Sequence, residues 1–421
     1  MRHNGALKTT QAAGNAKDGA AGGLAVVLAA QADWRCAGAA QLANGLRSLR
    51  QRTLQVFDAC VAAGALHVPC TDELNPPLWE LGHIGWYQEY WIGRNPQRAA
   101  GIGYNHSLAR TAPLLAQGDD WYDSSLVPHA ARWHLPLLAP AACKDYLAAT
   151  LEQTLALLAT AGEGDDALYF YRLVLLHEAM HLEAAVYMAQ ALGVPLALAG
   201  AASDTTNLIA AHAPFPWARG QLSIKKQVWQ LGSAEGKGFV FDNELGSHAV
   251  PLEAFGIDAQ CVCWGDYLHY LQATASPLPR YVRAAQASAG APLHYEQQVF
   301  GQWEPLQLDQ PAVHISHAQA LAYCQYAGRC LPTEAQWECA ASSQSDFAWG
   351  QVWEWTATTF APYPGFVAHP YRDYSEPWFG TRPVLRGACR ATQPMLRSAK
   401  YRNYFMAQRT DIYAGFRTCS L

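Results

Sequence analysis

The sequence predicts an α+β protein of more than one domain, a helix bundle followed by a loop-rich mixed domain. Three features of the chain predict it. Up to Leu192, long stretches carry apolar residues at helical spacing. Beyond Lys225, short strand-like runs alternate with Gly, Asn and Pro. Between them, Gly193 to Lys225 is rich in Ala, Pro and Gly and reads as a linker.

With 421 residues there is room for two or three sizeable cores. Hydrophobic residues make up 51% and charged residues 15%, so the chain is globular material. The 15 Trp and 20 Tyr point to an aromatic-lined interior. The net charge is -5, and no stretch concentrates Lys and Arg, which argues against nucleic acid or an anionic membrane as partner. No apolar run approaches the roughly 20 residues of a spanning helix. Eleven cysteines without paired spacing read as free thiols, and the expected location is cytoplasmic. Residues 1–39 are expected to be a disordered tail, Ala- and Gly-rich at the start, in preference to a signal peptide.

In chain order, Ala40 to Gly64 reads as an amphipathic helix striped by Leu42, Leu46, Leu49, Val56 and Phe57. Pro77 suits a first helical position, and Leu78 to Trp91 is apolar nearly all round, so a buried helix carrying His83 is expected. Gly82 and Gly85 leave space beside that imidazole. After a loop-rich stretch, Ala141 to Ala161 is a third long helix. Asp166 to Leu192 is the fourth, free of Pro and Gly until Gly193. Past the linker, Gln227 to Leu231 and Gly238 to Phe241 read as strands. Ser316 to Ala327 and Thr333 to Ala341 read as helices.

The fourth helix carries the chemistry. His177 and His181 are four apart and share a face, so they can supply two imidazoles to one metal. Glu178 is rotated off that face. A His-Glu-x-x-His helix suggests a zinc protease, but the extended form of that motif would need Gly at 184 and His at 187, where Ala184 and Tyr187 stand. His83, on another bundle helix, is the plausible third ligand, and three neutral imidazoles suit zinc or iron.

At these residues the chain resembles a known family. Pro77-Leu78-Trp79-Glu80-Leu81-Gly82-His83-Ile84-Gly85-Trp86, followed by His177-Glu178-x-x-His181, is similar to the iron-binding bundle of the ergothioneine-type sulfoxide synthases. The second half resembles formylglycine-generating enzyme through Gly328-Arg329-Cys330-Leu331-Pro332-Thr333-Glu334-Ala335-Gln336-Trp337-Glu338, Trp353-Glu354-Trp355, Tyr363-Pro364-Gly365-Phe366, Tyr371-Arg372-Asp373-Tyr374, Leu385-Arg386-Gly387 and Gly415-Phe416-Arg417. The resemblance implies a DinB-like four-helix bundle at 40–195, a linker at 196–225, and a formylglycine-generating-enzyme-like (C-type-lectin-like) domain at 226–421.

It also implies a non-haem Fe(II) on His83, His177 and His181, O2 as co-substrate, and hercynine as the substrate whose imidazole C2 receives a chalcogen. Tyr363 matches the family's proton-donating tyrosine, and Asn403 matches an asparagine that binds the hercynine imidazole. The family member that uses γ-glutamylcysteine carries Arg-Asn-Trp-Asp and an Arg four residues on. Here Arg402-Asn403-Tyr404-Phe405 is followed by Arg409, so Phe405 replaces the acid that holds an ammonium group. Met180 stands where one branch has a glutamine near the imidazole. A neutral donor fits better, with Tyr404 and Phe405 offering faces to a sugar. The chain is therefore closest to the selenoneine synthases, which take a selenosugar such as 1-seleno-glucose. The alternatives are a sulfoxide synthase using γ-glutamylcysteine or cysteine, and a non-catalytic, metal-stabilised binding module. Formylglycine generation is disfavoured, because Cys389 lacks a second cysteine at the position held by Pro394.

Overall fold

The structure, a computed structural model, describes residues 33–196, 220–236, 238–286 and 293–420. The first domain is a bundle of α1 (Ala39–Ala62), α2 (Pro77–Gln88), the short α3 (Gly118–Tyr122), α4 (Pro140–Leu158) and α5 (Asp165–Leu192). Pro77 and Pro140 open α2 and α4, where a missing N–H removes no hydrogen bond. α5 stops at Gly193, whose φ of 68° is the left-handed cap that favours glycine. α1 buries its predicted stripe, and α2 buries every residue from Trp79 to Gln88, as its all-round apolar character requires.

The glycines beside His83 serve packing. A Cβ on Gly82 would meet the Tyr122 ring at 2.2 Å, and one on Gly85 would meet Leu147 at 2.9 Å. The space expected at the imidazole is thus taken by the ring of Tyr122 and by α4.

The second domain is sheet-rich and built from small pieces. β1 (Gln221–Ile224) pairs with β4 (Phe255–Asp258), and β2 (Gln227–Leu231) with β3 (His248–Leu252), both antiparallel. α6 (Trp264–Thr274) follows, then the antiparallel β5 (Val282–Ala285), β6 (His294–Val299) and β7 (Gln302–Pro305). α7 (His317–Tyr326) and α8 (Glu334–Ser343) each begin with a capping box, from Ser316 with Gln319 and Thr333 with Gln336. The central sheet has the order β10 (Asn403–Tyr404), β9 (Pro383–Gly387), β8 (Trp353–Thr359), β11 (Ala414–Gly415), with only β11 parallel to its neighbour.

The motif carboxylates and guanidiniums of this domain pair with one another in the dry core. Arg402 bonds Glu334 at 2.9 and 3.0 Å, Arg417 bonds Glu354, and Arg386 bonds Glu338. Removing one partner of such a pair strands a buried charge, which makes the loop-rich domain adopt one arrangement.

Four expectations need correction. The tail was drawn to residue 39, but Trp34–Cys36 form a 3-10 turn and Arg35 pairs with Glu244 of the second domain. The rest of the predicted tail, residues 1–32, lies outside the described residues. The linker was drawn to residue 225, yet Gln221–Ile224 is already a strand, and residues 197–219 lie outside the described residues. Gly238 to Phe241 is not a strand; it is extended chain that puts Phe239 and Phe241 into the core against Tyr169 and Tyr374. α6 is a helix the sequence does not signal, because Gly265 and three aromatic residues, weak in helix propensity, interrupt its pattern.

α5 is the seat on which the second domain rests. Near its end, the Gln190 amide donates to the Gln298 carbonyl at 2.9 Å and accepts from Phe300 N at 2.7 Å. Further along the helix, Trp353 Nε1 donates to Glu183 at 2.5 Å, and the Tyr401 hydroxyl donates to the Met180 sulfur at 3.2 Å. Glu183 and Met180 of α5 therefore meet aromatic residues of the second domain.

Candidate metal centre

His83, His177 and His181 converge. One ligand atom from each lies within 4.8 Å of the other two. His177 Nε2 is 3.3 Å from His83 Nε2 and 3.1 Å from His181 Nε2. The other nitrogen of two rings is already committed. His83 Nδ1 donates to the Tyr122 carbonyl at 2.7 Å, and His181 Nδ1 donates to Glu80 at 2.6 Å. In the neutral rings both Nε2 atoms are then bare acceptors, and His177 Nε2 has one proton at most to share between them. Three imidazole nitrogens facing one another, two of them without a proton of their own, offer a site to a cation. Metal–nitrogen bonds of about 2.0–2.1 Å are compatible with nitrogens this far apart.

Electrostatics favour the neutral form of two of the rings, His83 and His177. Burial lowers the His83 pKa to about 3, with the neighbouring His181 adding to the shift. Burial and the other two histidines also push His177 well below its ordinary value. For Glu80, burial works against the charge, but His181 outweighs it and the pKa falls to about 2. Two neutral imidazoles and a third backed by the Glu80 carboxylate form a donor set for a divalent metal.

Aromatic rings fix the imidazoles. His83 lies between Trp79, stacked at 4.9 Å, and Trp86, at 5.7 Å. His177 lies flat on Tyr87, with centroids 3.4 Å apart and planes within 3°. Tyr371 of the second domain approaches edge-on, 5.1 Å from Tyr87 and 6.0 Å from His177. Beyond Tyr371, a small cleft is walled by Tyr169, Phe239, Phe241 and Tyr374, with the Asp242 carboxylate at its edge.

The other expected site residues are dispersed. Tyr363 does not stand beside the histidines. Its ring packs between Gly232, Gly246 and His248, with the Arg402 guanidinium 3.9 Å above it. It belongs to a separate apolar cluster with Trp337 and Phe347, and its hydroxyl is buried without a partner. Tyr371, eight residues on, is a second-domain tyrosine whose ring does reach His177, edge-on at 6.0 Å. Asn403 is turned onto its own strand, where Oδ1 accepts from Tyr404 N at 2.9 Å. Tyr404 stacks on Phe360 at 4.1 Å and bonds the Tyr374 carbonyl. Phe405 meets Tyr187 of α5 edge-on at 6.3 Å, and Arg409 lies 5.3 Å over its ring. Arg409 is itself bound by Asp411 at 2.5 and 2.6 Å.

Sequence reasoning missed Glu80, Tyr87 and Tyr371. Glu80 sits three residues before His83, one helical turn away, which was a usable signal. Glu178 is excluded as a base: Arg50 grips it at 2.9 and 3.0 Å, and Thr53 donates to it at 2.9 Å. Cys389 is buried, and burial raises its thiol pKa steeply, with Glu183 adding to the shift; it is held protonated, unlike a thiolate ligand.

Comparison with known proteins agrees with this layout. Residues 46–185 match the DinB superfamily, and residues 217–351 match the sulfatase-modifying factor enzyme 1-like domain. Hercynine oxygenase of Mycobacterium tuberculosis is 29% identical, over 90% of this chain and 98% of the relative. Hercynine oxygenase of Mycolicibacterium smegmatis is 27% identical, over 89% of this chain and 97% of the relative. Formylglycine-generating enzyme of Streptomyces coelicolor is 31% identical, but over only 31% of this chain and 51% of that enzyme. The non-catalytic module is set aside by these matches: the chain is an enzyme, an oxidoreductase that joins a DinB helix bundle to a sulfatase-modifying-factor-like domain and is similar along most of its length to hercynine oxygenases.

Proposed function

We propose that the protein holds Fe(II) on His83, His177 and His181 and uses O2 to join selenium from a selenosugar to C2 of the hercynine imidazole, as a selenoneine synthase. The observation that carries the metal is the meeting of three imidazole nitrogens, two of them on rings whose Nδ1–H is engaged elsewhere. Bound there, Fe(II) would bring O2 and a soft chalcogen donor to one centre, with proximity lowering the barrier.

Support for hercynine comes from the cleft that shares Tyr371 with the triad. Its walls of Tyr169, Phe239, Phe241 and Tyr374 are the kind of aromatic faces that hold a trimethylammonium group, but the cleft has room for about one water and would have to open to admit one. Seated there, the substrate would have Tyr371 between its cationic end and the metal. The Tyr371 hydroxyl carries its proton at neutral pH, as a phenol does, and burial raises its pKa, so donation would need the developing charge it protonates to be strongly basic. The proposal gives this role, expected of Tyr363, to Tyr371, whose ring is the one of the two that reaches His177.

Support for a neutral donor comes from Phe405 and Arg409. Phe405 offers no charge to an ammonium, and Arg409 is already neutralised by Asp411. An amino-acid thiol seated against Phe405 would find no carboxylate there for its ammonium group. The similarity to hercynine oxygenases supports hercynine and oxygen, and leaves a thiol such as γ-glutamylcysteine as the second reading of the donor. The eleven unbridged cysteines support a reducing, cytoplasmic location. Among the described residues no helix is long and apolar enough to cross a membrane.

The test supplies anaerobically purified protein with Fe(II), hercynine, O2 and one donor at a time: 1-seleno-glucose, 1-thio-glucose, cysteine or γ-glutamylcysteine. Mass spectrometry of the imidazole product is expected to show selenium transfer from the selenosugar and little product from either amino-acid thiol. Efficient turnover of γ-glutamylcysteine would replace the donor; no product with any donor would overturn the reaction.

A further inference from the structure

A strap of residues 129–134, in the long connection between α3 and α4, is laid over the loop that leads into α2. It is stapled at three points. The His129 ring bonds the Leu74 carbonyl at 2.9 Å, Trp133 Nε1 donates to the Val68 carbonyl at 2.7 Å, and Arg132 Nη1 donates to Asn75 Oδ1 at 2.9 Å. Asn75 passes the third contact on, since its Nδ2 donates to Glu80 Oε1 at 2.7 Å. The other oxygen of Glu80 receives His181 Nδ1–H at 2.6 Å. Asn75 has one orientation open to it, with oxygen to the guanidinium and nitrogen to the carboxylate, so the relay is directional.

The same guanidinium has a second arm. It lies 3.8 Å over the Trp79 ring, and Trp79 stacks on His83 at 4.9 Å with planes within 10°. Trp79 is pinned from the other side, where its Nε1 donates to the Trp121 carbonyl at 2.7 Å. Arg132 Nε is buried and has no hydrogen-bond partner. The protein thus tolerates a partly unsatisfied cation in order to keep this plane where it is.

We infer that Arg132 is a positioning residue for the metal centre, fixing His181 through Asn75 and Glu80 and fixing His83 through Trp79. The inference rests on the proposed metal reading. Arg132 touches no ligand nitrogen; it restricts two of the three rings to the orientations in which their Nε2 atoms meet. Only a planar cation does both jobs, because a lysine ammonium can donate to Asn75 but cannot lie flat on an indole.

The experiment measures Co(II) affinity of the metal-free, full-length protein by visible absorption under argon, with Fe(II) competition as a second measure. In Arg132→Met, which keeps an apolar stem over Trp79, affinity is expected to fall about 10- to 100-fold, as for other residues that orient metal ligands. Arg132→Lys should recover part of that loss. Asn75→Ala, which cuts the Glu80 arm alone, should lose less than Arg132→Met and serves if the latter does not fold. Combined with Glu80→Gln, Arg132→Met should cost less than the sum of the two, since both act on His181. Unchanged Co(II) affinity and spectrum in Arg132→Met, or in Asn75→Ala should it alone fold, would overturn the inference. Failure of the unaltered protein to bind Co(II) or Fe(II) would instead overturn the metal reading beneath it.

Discussion

Arg50 of α1 and Glu178 of α5 form a two-point ion pair, at 2.9 and 3.0 Å, in the interior of the bundle. Glu178 stands next to His177 in sequence, where a zinc protease keeps its general base, yet its oxygens are spent on Arg50 and Thr53. Both side chains are buried. Glu178→Ala should therefore leave Arg50 stranded and destabilise the fold by about 3–5 kcal/mol. Thermal or urea unfolding reads the loss. A variant with unaltered stability and no activity would return Glu178 to chemistry.

The three histidines should fail individually. His83→Ala, His177→Ala and His181→Ala each remove one of three neutral donors, and each should lower metal affinity by more than about 100-fold, beyond the effect of changing a residue behind a ligand. Metal analysis of anaerobically purified variants checks it. Full iron retention in His83→Ala would show that α2 supplies no ligand.

Two tyrosines eight residues apart should behave differently. Tyr371→Phe, at the triad, should keep its metal and lose product formation by about 10²–10⁴-fold if its hydroxyl gives a proton. Tyr363→Phe removes a buried hydroxyl that has no partner. It should change stability by less than about 1 kcal/mol and leave the rate unchanged. Product assays and melting curves on the pair decide it, and the reverse pattern would restore Tyr363 as the donor.

Phe405→Asp should shift the donor preference. The new carboxylate would face Tyr187 and compete with Asp411 for Arg409. Use of γ-glutamylcysteine should rise relative to the selenosugar, as kcat/KM on each donor would report. Unchanged preference would mean that the charged end of the donor binds elsewhere.

His314 predicts an acid sensitivity. It is buried against Tyr281 and Tyr413, and burial lowers its pKa from 6.5 to about 4, although backbone carbonyls of residues 410–412 oppose the shift. The folded value lies below the unfolded one, so this contribution is complete above about pH 6.5 and is lost as pH falls toward 4. The loss amounts to roughly 3 kcal/mol at the acid end. His314 also has φ 64°, so asparagine is the replacement that best tolerates its backbone. His314→Asn should flatten the stability profile between pH 6.5 and 4 in denaturant titrations; an unchanged slope would place the sensitivity elsewhere.

The sequence by itself determined the parts governed by local rules. Helical spacing located the four long helices to within a few residues, and the i, i+4 rule put His177 and His181 on one face, because both depend on neighbours along a single helix. The motifs of the second half were legible as strings, but not as the Arg–Glu pairs they form, since Glu334 and Arg402 are distant in sequence and meet only across the packed core. Which of Tyr363 and Tyr371 reaches the three histidines was decided by tertiary structure alone. Tyr363 and Tyr371 lie in the same loop-rich stretch with no periodicity to orient either, and the docking of that stretch on α5 sends one to the Trp337 cluster and the other to His177. Glu80 shows the same division. Its turn of helix fixes where it stands relative to His83, but its bond is to His181, and that depended on how closely α2 and α5 pack.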